Sequence, residues 1–281
     1  NVLSTNIDED LTLNTHDIDL SYQYAVGPHT LLGGAGGRYE QLDSNIFDPD
    51  GTKTEWMWDL FLQDEWRLCD PVTWFGTIRL DRHPISDYNF AYRTSLVYEP
   101  VENHVVWATV GRTFRNPTFS ESKIDLTFPT LVSPLASTRS IGNEDLDAEI
   151  MNSVEVGYRS LWANRVKLES NIFYNRYDDI IQGIAGPAGL VTPATFQNKG
   201  RGYTVGTELS SEVFVFPWLT AFGSWSAQSL EREDGAPADD LSPKHKTTLG
   251  INSTSQGFSS EFFLQYVDTT KAPGARAGQA D

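Results

Sequence analysis

The chain has 281 residues, of which 39% are hydrophobic and 21% charged, and its formal net charge is -17. Its many aromatic residues exclude a chain that is disordered for lack of apolar surface. The acidic balance excludes a nucleic-acid partner, because a phosphate backbone needs a basic face. The sequence has no run of about 18 apolar residues, so it predicts no transmembrane helix. The single cysteine, Cys69, cannot form an internal disulfide.

Strand-like runs of alternating apolar and polar residues follow one another along the chain. Between residues 56 and 68 the even positions are mostly apolar, as at Trp56 and Leu62, whereas odd positions such as Gln63 and Arg67 are mostly polar. Helical periodicity is nearly absent. The predicted fold is therefore all-β, an antiparallel meander of about twelve strands near residues 16–26, 30–41, 56–68, 73–82, 89–99, 104–114, 151–161, 166–177, 198–213, 218–230, 245–254 and 258–267.

Short and long connections alternate between these strands. The short ones are at residues 26–29, 69–72, 99–103, 161–165, 214–217 and 254–257, and the long ones at 42–55, 83–88, 115–150, 178–196 and 232–243. Outer-membrane barrels have short periplasmic turns, long extracellular loops and strands of about 9–11 residues across the hydrocarbon layer. The pattern thus predicts an antiparallel transmembrane β-barrel with aromatic belts at the strand ends. Asp64, near a short turn, is the one charge on the apolar face of its strand.

Several short motifs occur in a fixed order along the chain. They are FLQDEW at residues 61–66, GRTFRNPTFSE at 111–121, GNEDLDAE at 142–149 with SVEVGY at 153–158, FYNRYDDII at 173–181, NKG at 198–200 with GTEL at 206–209, and SPKH at 242–245. Together they resemble TonB-dependent outer-membrane receptors, over about residues 16–267. One departure is Asp147-Ala148-Glu149, where the family often has Lys-Pro-Glu.

This resemblance implies a barrel of about 22 strands whose lumen is filled by an N-terminal plug domain. We therefore expect residues 1–281 to be a single-domain fragment with about 12 of those strands, lacking the plug and the terminal strands. The implied function is active transport across the bacterial outer membrane, with no enzymatic activity and no cofactor. The implied cargo is a scarce, bulky nutrient such as a ferric siderophore, haem, cobalamin or a glycan.

The resemblance also implies partners and a binding region. The expected partners are outer-membrane lipid, a small-molecule or metal-chelate ligand, and the TonB complex, which would act through the missing plug. The receptor is expected to be a monomer. Extracellular loops on a rigid scaffold commonly bind ligands. In the long connection at 115–150 the predicted ligand contacts are Arg115, Phe119, Lys123, Phe128 and Arg139.

Other chemistry has weaker support in the sequence. The five histidines do not have metal-site spacing, and the glycine cluster at 33–37 lacks the Lys-Ser/Thr ending of a phosphate-binding loop. The adjacent acids at 178–179 and 239–240 would point to opposite faces of a strand. We therefore predict neither a catalytic nor a metal site.

Two alternatives remain at the sequence level. A passive porin or a structural outer-membrane barrel would share the strand pattern but need no plug. A soluble all-β carbohydrate-active protein, such as a sandwich or propeller, would have strands of about 5–6 residues, connections of mixed length at both ends and charged outward faces.

Overall fold

A computed structural model describes residues 11–44, 52–129, 137–233, 242–255 and 257–269. These residues form strands over most of their length. The elements are β1 (Leu11–Val26), β2 (His29–Ser44), β3 (Lys53–Cys69), β4 (Val72–His83), β5 (Asp87–Val101), β6 (His104–Arg115), α1 (Phe119–Lys123), β7 (Asp125–Pro129), β8 (Ser137–Ile141), β9 (Glu149–Trp162), β10 (Val166–Ala185), β11 (Val191–Phe216), β12 (Leu219–Arg232), β13 (His245–Ser255) and β14 (Phe258–Val267).

Twelve of these strands form one meander in which each strand pairs antiparallel with the next, from β1 to β6 and then from β9 to β14. The predicted fold class is thereby confirmed. Strands β7 and β8 lie in the connection between β6 and β9, and each has only 5 residues. The sequence pattern does not reveal them, because alternation cannot be recognised over so short a run. Among the described residues β1 pairs only with β2, and β14 only with β13, so the sheet is open.

Tight turns join the strands at one end of the sheet, as predicted. Gly27, between β1 and β2, has a φ of 57°, and Asn103, between β5 and β6, has a φ of 66°. These left-handed conformations suit glycine and asparagine, which adopt them at low cost. The chain can therefore reverse within two residues at these positions.

Two connections at the other end differ from the prediction of long loops. Strand β4 ends at His83 and β5 begins at Asp87, so the connection predicted at 83–88 is shorter. The predicted loop at 178–196 is wrong, because β10 and β11 continue through it as a hairpin. A bulge between Tyr177 and Ile180, with Asp179 at a φ of 58°, shifts the register and breaks the alternation in the sequence.

Apolar side chains cover one face of the meander, and no second layer of described residues packs on it. Leu20 is 76% exposed, Ile172 64% and Leu264 65%. The described residues bury few apolar side chains, namely Leu42, Leu146, Ala148 and Ile181. A soluble protein of this size needs a large apolar core and cannot present such a face to water. The soluble all-β alternative is therefore wrong.

The opposite, inner face is polar and is crossed by ion pairs between neighbouring strands. Lys167 Nζ lies 2.7 Å from Glu212 Oε2, and Arg159 Nε lies 2.7 Å from Glu169 Oε2. Side chains directly opposite each other on paired strands share a face. The alternating residues of each strand therefore form one polar and one apolar face of the sheet, as predicted.

Aromatic pairs mark both edges of the apolar face. Trp66 and Trp74 meet edge to face at 6.5 Å near the tight turns, and Trp58 and Tyr88 at 6.0 Å near the other end. Such belts lie where headgroups meet acyl chains. We take the membrane-spanning part of β3 to lie between Trp58 and Trp66, and the region beyond Trp58 to be extracellular.

Asp64, the charge on the apolar face, is paired with a histidine on the neighbouring strand. His29 Nδ1 lies 2.8 Å from Asp64 Oδ2, and the His29 ring stacks on Trp66 with 5.0 Å between centroids. The pair lies beside the periplasmic belt, where burying a polar group costs little.

The described residues contain no helix that is long and apolar enough to cross a bilayer, since α1 has 5 residues.

Candidate functional site

The connection between β6 and β9 folds into a structure at the extracellular end of the sheet, which we call the β6–β9 loop (residues 116–148). Its helix α1 begins with a capping box. The Thr118 hydroxyl accepts a hydrogen bond from the backbone N–H of Glu121 at 3.3 Å, and the Glu121 carboxylate accepts one from the backbone N–H of Thr118 at 2.8 Å. These bonds satisfy two donors that a helix start leaves unpaired. The start of α1 is therefore fixed.

Arg115 ties α1 to the sheet. Its guanidinium donates to Glu149 on β9 at 2.8 and 2.7 Å, and to Glu121 in α1 at 2.9 and 2.8 Å. The bonds to Glu149 and then to Glu121 raise the pKa of Arg115. Burial acts to raise the pKa of Glu121, but the hydrogen bonds from Arg115 and Thr118 outweigh it, and that pKa is lowered. Glu149 also accepts the backbone N–H of Ile181 at 2.8 Å.

Lys123, at the end of α1, lies between two carboxylates. Its Nζ is 3.4 Å from Glu144 Oε1 and 3.9 Å from Glu55 Oε1. The Lys123 side chain is 14% exposed and that of Glu55 is 6% exposed. Burial raises the pKa of Glu55, and the charge of Lys123 opposes this rise. Lys123 therefore acts mainly as a counterion that holds α1 against the start of β3.

The turn between β4 and β5 supports the beginning of the loop. His83 Nδ1 accepts the backbone N–H of Ile85 at 3.3 Å, and burial lowers the pKa of His83 to about 4, so its ring is neutral at pH 7. Ser86 donates to the Asn116 side-chain oxygen at 3.0 Å, and Asn89 donates to the same oxygen at 3.1 Å. The first residue of the β6–β9 loop is thereby fixed to the sheet.

The returning part of the loop passes very close to α1 at Gly142. A Cβ there would lie 2.4 Å from the backbone nitrogen of Lys123 and from the backbone of Ser122. The Gly142 N–H donates to the Ile124 carbonyl at 2.6 Å. Just beyond, Leu146 is buried, with 2% of its surface exposed.

Asn198 joins the loop to the β10–β11 hairpin. Its Oδ1 accepts the backbone N–H of Asp147 at 3.0 Å, and its Nδ2 donates to the carbonyls of Asp147 at 2.9 Å and of Asp179 at 2.7 Å. Asn143 Nδ2 also donates to the Phe196 carbonyl at 2.9 Å. The loop and the hairpin therefore form one extracellular unit.

The β7–β8 hairpin adds two short strands to this unit. Residues 137–141 of β8 pair with residues 191–195 of β11, and this pairing is parallel, unlike the antiparallel pairing predicted throughout. Arg139 donates two hydrogen bonds to Asp125 across the hairpin, at 2.8 and 2.6 Å. These bonds raise the pKa of Arg139.

The structure gathers three of the five predicted ligand contacts around α1. Arg115 precedes the helix, Phe119 begins it and is half-buried, and Lys123 ends it. Arg139 lies apart, on the β7–β8 hairpin. The backbone of Phe128 lies in β7, but its side chain falls outside the described residues.

The residues that hold this loop in place have no recognisable pattern in the sequence. Glu149 and Asn198 reach partners 34 and 51 residues away along the chain, and such distances leave no local pattern. The close packing against α1 requires glycine at position 142, and this contact also leaves no local pattern in the sequence. One signal was available, since Thr118 and Glu121 have the spacing of a capping box.

The inner face below the loop has a recess of about 570 Å³, whose polar lining includes Arg79, Arg93, Glu155, Asn171 and Glu208. The side-chain oxygen of Asn171 is buried there without a hydrogen-bond partner in the described part of the chain. In that part, no group of three or more His, Cys, Asp or Glu side chains could hold a metal ion. The chemistry available is polar and ionic recognition.

Comparison with protein families identifies the barrel type. The family described as "TonB dependent receptor-like, beta-barrel" matches residues 2–279.

Individual relatives are distant and longer. The "Iron-regulated outer membrane virulence protein" of Vibrio cholerae serotype O1 (strain ATCC 39541 / Classical Ogawa 395 / O395) is 21% identical over 244 residues, which is 83% of this chain and 37% of that protein. The siderophore receptor PirA from Pseudomonas aeruginosa has a TM-score of 0.75 at 17% identity, over 92% of this chain and 49% of the receptor. The ferric enterobactin receptor PfeA of Pseudomonas aeruginosa has a TM-score of 0.77 at 15% identity, over 92% of this chain and 42% of that receptor. The chain thus spans less than half the length of each of these proteins.

Proposed function

This chain belongs to the family of TonB-dependent receptor-like β-barrels, and from that membership we propose that it forms part of the wall and mouth of a receptor that imports a scarce, bulky nutrient. The protein is located in the bacterial outer membrane. The observation that carries the proposal is the family match over residues 2–279, together with an apolar outward face and a polar inner face. Its function is transport and not catalysis.

A ferric siderophore is the cargo that the comparisons favour. One similar structure is a siderophore receptor, another is a ferric enterobactin receptor, and the relative from Vibrio cholerae is iron-regulated. In the proposed mechanism the extracellular unit captures the chelate. The TonB complex then acts on a plug domain that fills the lumen of the complete receptor, and the chelate passes along the polar inner face.

The β6–β9 loop is the proposed capture site on this chain. Arg115 and Lys123 fix α1 through carboxylates on the sheet and in the loop. Phe119, Phe128 and Arg139 are then the candidates for direct contact with the chelate. Because its anchors are buried or doubly bonded, the loop presents Phe119 and Arg139 on a preformed surface, which lowers the entropic cost of binding.

Uptake of iron-labelled siderophores by iron-limited cells tests this proposal. Cells with the complete receptor should accumulate label, and loss of either the receptor or TonB should abolish accumulation. Arg139→Ala should weaken binding at the mouth, whereas Arg165→Ala, in an exposed turn at the periplasmic end, should not. Accumulation that continues without TonB would instead indicate a passive barrel.

A further inference from the structure

We infer that the mouth of this receptor selects neutral or cationic ferric chelates, such as trihydroxamates, and disfavours strongly anionic ones, such as tris-catecholates. The inference rests on the proposed siderophore function and narrows its substrate class. It is drawn from four cations of the upper inner wall and the base of the β6–β9 loop, each held between two carboxylates: Arg38, Arg79, Arg115 and Lys123.

Two of these groups lie on the upper inner wall. Arg38 Nε is 2.5 Å from Asp17 Oδ1, and its Nη1 is 3.7 Å from Glu40 Oε1. On the neighbouring strands, Arg79 donates to Asp81 at 2.8 Å and lies 3.3 Å from an oxygen of Asp59. Each group of one cation and two carboxylates has a net charge of one negative unit.

The Asp19 carboxylate can lie beside the Arg79 group because Gly36 has no side chain. A Cβ at Gly36 would lie 2.4 Å from Asp59 Oδ2 and 2.9 Å from Asp19 Oδ1. Both carboxylates thus lie over the same glycine on the inner wall. This arrangement adds a second negative charge to that part of the mouth.

The other two groups lie at the base of the β6–β9 loop. At the end of β6, the Arg115 guanidinium already makes four hydrogen bonds to Glu121 and Glu149. An anionic chelate would have to displace a fixed carboxylate to reach these donors. Lys123 is similarly placed between Glu55 and Glu144. These four cations therefore stabilise the protein and are poorly available to an incoming anion.

The net charge of the chelate determines whether the negative mouth repels it. Three doubly charged catecholates around Fe³⁺ leave a triply negative complex, whereas three singly charged hydroxamates leave a neutral one, or a cationic one if the ligand carries an amine. A concave wall focuses the field of its net charge, and that field extends for about 8 Å at physiological salt. The tris-catecholate is therefore repelled over the distance at which it would first be bound.

Binding of two iron-labelled chelates of similar size to the complete receptor tests the inference. We expect a ferric trihydroxamate to bind roughly tenfold or more tightly than a ferric tris-catecholate at low salt, and the ratio to shrink in high salt. Glu144→Gln, at a side chain that is 67% exposed, and Asp81→Asn should each raise tris-catecholate affinity severalfold. The matched control is Glu102→Gln, in an exposed turn at the periplasmic end, which should leave the ratio unchanged.

The outcomes separate this inference from the proposed function. Equal or tighter binding of the tris-catecholate, with TonB-dependent uptake of either chelate, would overturn the charge preference and leave the siderophore function standing. If the receptor bound and imported neither chelate, both proposals would be wrong. A ratio that shifted as much in Glu102→Gln as in Glu144→Gln would also contradict an origin in the mouth.

Discussion

Arg115 illustrates how the role of a residue depends on partners that the sequence does not reveal. Its type and its position at the start of a long connection made it a candidate ligand contact. In the structure it bonds to Glu121 and Glu149, which are 6 and 34 residues away. A planar guanidinium held by two carboxylates is rigid and already hydrogen-bonded. We therefore propose that Arg115 contributes to ligand binding by positioning α1.

Gly142→Ala should undock the β6–β9 loop. The new methyl group would overlap the backbone of Ser122 and Lys123 at 2.4 Å, and backbone atoms cannot rotate away as a side chain could. We expect a loss of about 1–3 kcal/mol in loop docking, measured as faster amide hydrogen exchange in α1. Gly183→Ala is the matched control, because a Cβ there meets nothing within 4 Å. Unchanged exchange in Gly142→Ala would contradict the close packing described.

Protonation of His83 at low pH should weaken the docking of the β6–β9 loop on the sheet. Burial lowers the pKa of His83 from 6.5 to about 4, so an opened form takes up a proton at a higher pH than the docked form. Docking stability is fully present above pH 6.5 and is lost as the pH falls towards 4, by about 3 kcal/mol at most. The raised pKa of Glu55 acts in the opposite direction, because the docked form gains from its protonation.

Hydrogen exchange in α1 at pH 7 and pH 5, corrected for intrinsic rates, measures this effect. We expect more opening at pH 5, and His83→Gln should reduce the difference. His245→Gln, at the start of β13, should behave like the unchanged protein. Equal opening at both pH values would show that His83 does not control docking.

The sequence predicted the membrane-spanning elements better than the extracellular ones. Alternation over ten or more residues located twelve strands and assigned their faces, because each position of a spanning strand meets either lipid or the lumen. Outside the membrane this constraint disappears. The bulge at Tyr177 to Ile180 interrupts the pattern, so the extended hairpin was read as a loop, and the parallel β8 was too short to recognise.

Asn198→Ala should separate the β6–β9 loop from the β10–β11 hairpin. The substitution removes three hydrogen bonds, to the backbone of Asp147 and Asp179, and we expect a loss of about 1–2 kcal/mol because they are partly exposed. Limited proteolysis of the loop in intact membranes measures the effect. Asn175→Ala is the control, because Asn175 makes no side-chain hydrogen bond within the described residues. Equal cleavage of both variants would indicate that Asn198 is not an anchor.

At the scale of the whole molecule, the apolar residues are on the outside. The described residues contain few buried apolar side chains, whereas Leu20, Ile172 and Leu264 are more than half exposed. This inversion is stable only where acyl chains replace water around the outward face. The inner face can then be polar.

The most direct test of this account is the environment of successive side chains on β10 in the complete receptor. Single cysteines at Lys167, Leu168, Asn171 and Ile172, introduced in a Cys69→Ser background, would carry a nitroxide label in native-like membranes. Oxygen, which concentrates in lipid, should collide most with labels at positions 168 and 172, and a water-soluble nickel chelate with those at 167 and 171. Loss of this alternation, or its reversal, would contradict the claim that the apolar face of the sheet contacts lipid.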